Sequence, residues 1–161
     1  MKKALALALL LLLFCTPALA TNTIVVIDYE GAWVPVESHG FQLYLPIDWV
    51  LFEPEGDEIF SAGTADVSSY MAVEVYRNTG YTLQSIETEL SAAKGYRNVR
   101  SRVFNGVPCV LYECPGEDMF GAVAMSDDAL NAYFLKFSPY GNDAFTHLAD
   151  QIMSSLYPLE P

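Results

Sequence analysis

The sequence predicts an α+β fold, an antiparallel β-sheet of about six strands flanked by two main helices. Three observations predict it. Short apolar runs between Phe41 and Phe137 alternate with period two, as half-buried strands do. Only two stretches carry helical spacing, Leu83, Ile86, Leu90 and Ala93, and later Phe145, Leu148, Ile152 and Leu156. The connections late in the chain are hairpin-length and carry turn residues, Asn105-Gly106, Pro115-Gly116 and Asp127-Asp128. Hairpin connections make neighbouring strands antiparallel, and amphipathic helices must then pack on the sheet.

The chain opens with Lys2 and Lys3, an apolar run from Ala4 to Phe14, and Pro17-Ala18-Leu19-Ala20. These are the parts of a secretory leader, with Ala18 and Ala20 as the small residues that signal peptidase reads. Residues 1–20 are therefore expected to be cleaved off between Ala20 and Thr21. The eleven-residue apolar run is too short to span a bilayer, which takes about 20 residues as a helix. No second such stretch follows, so the mature chain is expected to lack a transmembrane segment. Cys15 offers lipid acylation as an alternative, but Phe14 stands before it where that processing requires a small residue.

Residues 21–39 read as an N-terminal arm or hairpin. Ile24 to Ile27 is a β-branched run, Asp28-Tyr29-Glu30-Gly31 a turn, and Ala32 to Val36 a strand that Pro35 confines to an edge. Residues 40–161 read as a single domain. Phe41, Leu43 and Leu45 share one strand face and Pro46 stops the run; Glu53 to Glu58 form an acidic loop; Ile59 to Ala62 is a short strand. Tyr70 to Tyr76 alternates with Met71, Val73 and Val75 inward. A helix follows between Tyr81 and Lys94, with Gly95 as its stop. Tyr96–Phe104, Val107–Glu113, Met119–Met125 and Ala132–Phe137 then make a four-stranded meander, and Asn142 or Asp143 caps the closing helix.

Removing residues 1–20 takes away two lysines and no acids. Six Lys and Arg then face twenty Asp and Glu, a net charge of −14. This argues against nucleic acid or an anionic membrane surface as partner, because both are bound through basic patches. A chain of this length can bury a core without staples. Cys109 and Cys114 fall on one predicted strand, about 17 Å apart and on opposite faces. A bridge would need Cα atoms within about 7 Å, which only a bulge in the strand could bring about.

The segment Gly40-Phe41-Gln42-Leu43-Tyr44-Leu45-Pro46-x-x-Trp49 is similar to the opening strand of PsbP-like domains. The later layout resembles that family too, with a helix after the third strand, a hairpin around Asn105-Gly106-Val107, and a closing helix ending near Ser154-Ser155-Leu156. The resemblance covers about residues 40–157 and leaves the arm outside. It implies an α/β/α sandwich and a mostly non-catalytic binding or assembly role.

Several groups are candidates for chemistry. Glu53, Glu55, Asp57 and Glu58 place four carboxylates within six residues, the oxygen-rich composition of a calcium site or simply of a solvated loop. The spacing is not that of an EF-hand, and two histidines with two cysteines lack the close spacing of a zinc site. No G-x-S-x-G, H-E-x-x-H or S-x-x-K motif occurs. Ser38 and His39 are expected to point apart, as neighbours on an extended chain do. Arg97, Arg100 and Arg102, with Lys94, concentrate the cations in nine residues, as an anion site or as ion pairs with neighbouring acids. Tyr44, Tyr70, Tyr76 and Tyr112 lie opposite the aliphatic strand positions. With both faces covered by helices they complete the core, and with one face open they form an aromatic binding surface. Trp33 on the arm is a partner anchor or a strand-end plug.

The sequence therefore points to an exported, non-catalytic binding or assembly module of the cell envelope or extracellular space. It carries no cofactor and meets a protein or envelope component through its sheet edge, its arm or the Arg100/Arg102 face. The alternative is a small metal-dependent or carboxylate-based hydrolase on the 53–58 loop. N-terminal sequencing of the exported protein should begin at Thr21; a chain beginning at an acylated Cys15 would replace the soluble form with an anchored one.

Overall fold

The computed structural model describes residues 21–22, 25–126 and 128–158. The leader with Cys15 and Ala20, together with Ile24 and Asp127, lies outside the described residues. In chain order the strands are β1 (Thr21–Asn22), β2 (Gly31–Val36), β3 (Phe41–Pro46), β4 (Val50–Leu51), β5 (Glu58–Gly63), β6 (Tyr70–Arg77), β7 (Arg97–Phe104), β8 (Val107–Cys114), β9 (Met119–Met125), β10 (Asn131–Ser138) and β11 (Tyr157–Pro158). The helices are α1 (Leu83–Ala92) and α2 (Asp143–Ser154). No helix among the described residues is long and apolar enough to cross a membrane.

Two sheets form. The larger has the order β1-β7-β8-β9-β10-β6-β5-β4, and the smaller β11-β3-β2. The expected meander is the middle of the larger sheet. Asn105 and Gly106 both take positive φ, 47° and 86°, which a two-residue hairpin between twisted strands requires. Following the antiparallel pairings from strand to strand, β6 and β7 run parallel although β10, β9 and β8 separate them. A parallel return needs a crossover, and residues 78–96 supply it as α1. That helix starts on a reciprocal cap, with Ser85 N–H donating to Thr82 Oγ1 (3.1 Å) and Thr82 N–H donating to Ser85 Oγ (2.9 Å).

One face of the larger sheet carries the large core. Met71, Val73, Leu111, Ala122, Leu135 and Phe137 meet Phe145, Ala149 and Ile152 of α2 and Leu43 and Leu45 of β3. Phe120, Phe137 and Phe145 pack ring to ring at 5.6 to 6.3 Å between centroids. Each fully buried side chain of this size contributes about 1.5–3 kcal/mol. α2 begins as expected on Asn142, whose side chain accepts from Phe145 N–H at 3.1 Å. The second face carries a smaller cluster, Ile86 of α1 against Tyr112, Val123 and Ala132.

Two expectations are corrected. The strand from Phe41 belongs to the smaller sheet, because its alternation shows that one side is buried but not which strands pair with it. The Val25–Ile27 run forms no strand. It is held instead through Asp28, whose N–H donates to Gln151 Oε1 (2.8 Å) while Gln151 Nε2 donates to Asp28 Oδ1 (2.7 Å). Gln151 is 1 % exposed, and this exchange satisfies its buried amide.

Gly121 in β9 is a close approach. A Cβ there would lie 2.0 Å from Leu135 O and 2.9 Å from the Tyr112 hydroxyl. A backbone carbonyl inside a sheet cannot yield, so Gly121→Ala should lower stability by about 3 kcal/mol in urea unfolding. A midpoint equal to the parent's would show that β9 and β10 are not in the register described.

Candidate functional site

α1 rests on β7, β8 and β9. The same face of β10 and β6 lies beyond its edge, and there a groove of about 380 Å³ opens between helix and sheet. Ile86 and Leu90 form its helix wall, Tyr96 and Tyr112 one end, and Tyr76 and Phe134 the open side. Alternation puts these strand residues on one face: Tyr76 stands opposite Ala132, and Glu74 opposite Phe134. The rings interlock edge to face, Tyr76 with Phe134 at 5.3 Å and Tyr96 with Tyr112 at 5.6 Å. Tyr76 is 42 % exposed, while Tyr112 is buried at the base.

An ion pair forms part of this lining. Lys136 Nζ stands 2.5 Å from Glu74 Oε1, and the Tyr76 hydroxyl donates to Glu74 Oε2 at 2.7 Å. Burial works to raise the Glu74 carboxyl, but the hydrogen bonds from Lys136 and Tyr76 outweigh it and hold it below the ordinary glutamate value. The bond to Glu74, with burial second, pushes the Tyr76 phenol up to about 12. Burial raises Tyr112 and Tyr96 as well. The phenols therefore stay protonated and serve as donors near neutral pH.

The 53–58 carboxylates do not assemble into a cation site. Glu58 lies directly across from Glu74 and would repel it. Its oxygens are occupied, Oε1 by the Tyr70 hydroxyl (2.8 Å) and Oε2 by Glu55 N–H (3.1 Å). Among the described residues no group of three or more His, Cys, Asp or Glu side chains is placed to hold a metal ion; Glu53, Glu55 and Asp57 lie on an exposed loop, and Glu58 begins β5.

The arginines are engaged one by one. Arg102 Nη1 meets Asp150 Oδ2 of α2 at 3.2 Å, with its guanidinium 4.7 Å over Phe104. The acid comes from a helix rather than a neighbouring strand. Arg100 Nη1 donates to Asn98 O at 3.0 Å, and Arg97 stands across from Glu113. Trp33 and Tyr44 are brought together, opposite one another on β2 and β3 with centroids 5.4 Å apart, on the smaller sheet and away from Tyr112. Tyr44 is held by Gly31 N–H donating to its hydroxyl at 3.1 Å.

Ser38 and His39 do not point apart. They occupy a 3₁₀ turn, where Ser38 Oγ lies 2.8 Å from His39 Nδ1. No carboxylate among the described residues orients the ring through Nε2, so the pair lacks the third member of a hydrolytic triad. Cys109 and Cys114 are both free and buried, and burial pushes the Cys109 thiol up to about 12, far from a reactive thiolate. Sequence reasoning missed Glu74, Phe134 and Lys136. The available signal was one acid and one base, each alone at the middle of an apolar strand.

With a parallel strand pair split by an antiparallel meander and a helix on each face, the chain has a PsbP-like fold. It is similar to cyanobacterial PsbP (CyanoP) of Synechocystis, with a TM-score of 0.55 and 10 % identity over 88 % of this chain and 99 % of that one. It is also similar to a protein of Bacteroides thetaiotaomicron, with a TM-score of 0.53 and 16 % identity over 83 % of this chain. The chain spans about half, 50 %, of the Bacteroides protein. No protein-family model matches the chain, and no curated protein matches it.

Lys136→Met should cost about 1–3 kcal/mol by leaving the Glu74 carboxylate, 15 % exposed, without its cation. The sign with pH follows from the lowered carboxyl. The stability Glu74 contributes is complete above its unfolded value of about 4.3 and is lost as pH falls through the lower folded value. Glu74→Gln should remove that acid-side loss, read as a flatter dependence of urea midpoint on pH below about 5.

Proposed function

We propose that this protein is an exported, non-catalytic binding or assembly module of the cell envelope or extracellular space, and that its partner docks in the groove beside α1. One observation carries the reading: a fold that buries its other sheet face leaves Tyr76, Phe134 and the Glu74–Lys136 pair at the surface of this one. Aromatic rings beside a few fixed polar groups are the composition of recognition surfaces. The leader supports export, and the acidic balance disfavours nucleic acid. The PsbP-like fold supports a binding role by analogy only. Among the described residues the 53–58 carboxylates form no group placed to hold a metal ion, so no observation favours the metal-dependent hydrolase.

The test places a photo-crosslinking amino acid at position 76 in the exporting cell, with position 67 as the exposed control. Irradiation should give one adduct of defined mass at position 76, lost when Leu90→Glu closes the helix side. Adducts of equal yield at both positions, or none at 76, would overturn the groove as the docking site.

A further inference from the structure

A second cavity, of about 460 Å³, lies on the opposite side of the larger sheet, between the 3₁₀ turn Glu37–His39 and the facing ends of β8, β9 and β10. Its volume falls in the lower part of the range for small-molecule sites, about 300–1,000 Å³. Its floor is apolar: Phe41, Ala124 and Leu135 are buried, and Val107 and Leu156 are packed against them. Tyr133 forms a wall and is fixed from two sides, edge to face against Phe41 at 5.5 Å and against His39 at 6.2 Å. A floor of this kind has no use for a bare ion. It takes the hydrophobic body of an organic ligand.

The polar groups stand together at the rim on the β9–β10 turn. Ser126 Oγ donates to Asp128 Oδ1 at 2.6 Å, Leu130 N–H donates to the same oxygen at 2.9 Å, and Asn131 N–H donates to Ser126 Oγ at 3.0 Å. All bonds of Asp128 among the described residues converge on Oδ1, which holds the carboxylate in one orientation and leaves Oδ2 to accept from a ligand. The hydrogen bond from Ser126, with that from Leu130, keeps the Asp128 carboxyl below its ordinary value, so the group is an anion near neutral pH. Across the mouth the Ser38–His39 pair is bonded to itself through Nδ1, at 2.8 Å. The fixed charge among the described lining residues is thus negative, in a chain whose net charge is −12, and that field draws cations and repels anions.

We infer that this cavity binds a small amphipathic amine, its apolar body on the Phe41–Leu135–Tyr133 floor and its ammonium on Asp128. The site is separate from the groove beside α1 and independent of what docks there.

Three probes share one body and differ in head charge: 2-phenylethylamine, 2-phenylethanol and phenylacetate. Titrated into protein purified after export and followed by amide NMR, the amine should shift Gly40, Ala124 and Asn131 saturably. It should bind about tenfold more tightly than the alcohol, the worth of one charge-assisted hydrogen bond. Phenylacetate should bind more weakly than either. Asp128→Asn should bring the amine down to the alcohol's affinity, and Val107→Phe, which fills the cavity from the start of β8, should abolish binding of all three. Ala124→Leu makes the same test from the floor if the first filling variant does not fold. Three results would overturn the inference: phenylacetate binding as well as the amine, a preference for the amine that survives Asp128→Asn, or no saturable shift of these amides at millimolar probe.

Discussion

An α-helix with its side chains is about 10–12 Å wide, and paired strands are about 4.8 Å apart, so one helix covers two or three strands. The larger sheet here is eight strands wide, and the described residues include two α-helices. The shortfall is met on one face only. The smaller sheet lies beside α2 there, and its attachment is explicit: Tyr157 of β11 pairs with Gln42, and Tyr44 N–H donates to Ser155 Oγ at 2.8 Å, so the end of α2 is tied to the β2–β3 hairpin. That arrangement completes the large core and leaves α1 alone on the second face.

The composition of the second face follows from that shortage. Under α1 the strand residues are apolar or aromatic, Val123, Ala132 and Tyr112, and they are buried. Beyond the helix edge the same alternating positions become Tyr76, Glu74 and Lys136, bonded to one another, and Tyr70, bonded to Glu58. Each carboxylate on this stretch has a tyrosine hydroxyl as donor, which offsets the repulsion expected between Glu58 and Glu74. A chain that needed only solubility would place scattered lysines and glutamates here. Rings held edge to face around a partly buried ion pair give this surface a fixed shape.

Much of the fold is legible in the sequence, and what is illegible has a common cause. Asn105-Gly106, Asn142 and the Leu83–Ile86–Leu90 stripe are local signals, since each places its own backbone and nothing else, and each is where it was expected. The pairing of Phe41–Pro46 with β2 and β11 joins segments distant along the chain, and no local pattern encodes it. The same holds for the site. Tyr112 was legible as a strand tyrosine, but its place in a groove depends on where α1 ends relative to β10, a matter of sheet width. Ser38–His39 failed for the opposite reason: the bond is local, yet it arises from a 3₁₀ turn that Glu37-Ser38-His39-Gly40 does not announce, apart from Gly40 at φ 68°.

The edges of the larger sheet decide which surfaces remain for a partner. An unpaired edge strand is a template for another chain, and proteins blunt it with short strands and charge. On one side β1 lies parallel to β7, with Thr21 across from Arg102 and Asn22 across from Val103, so part of that edge is paired. On the other side β4 is two residues long, and the chain leaves it directly into Glu53, Glu55, Asp57 and Glu58. Two copies brought together along β4 would oppose these carboxylates. Like charge at this edge disfavours lateral pairing. With one edge partly paired and the other short and flanked by charge, the sheet face beside α1 stays only half covered.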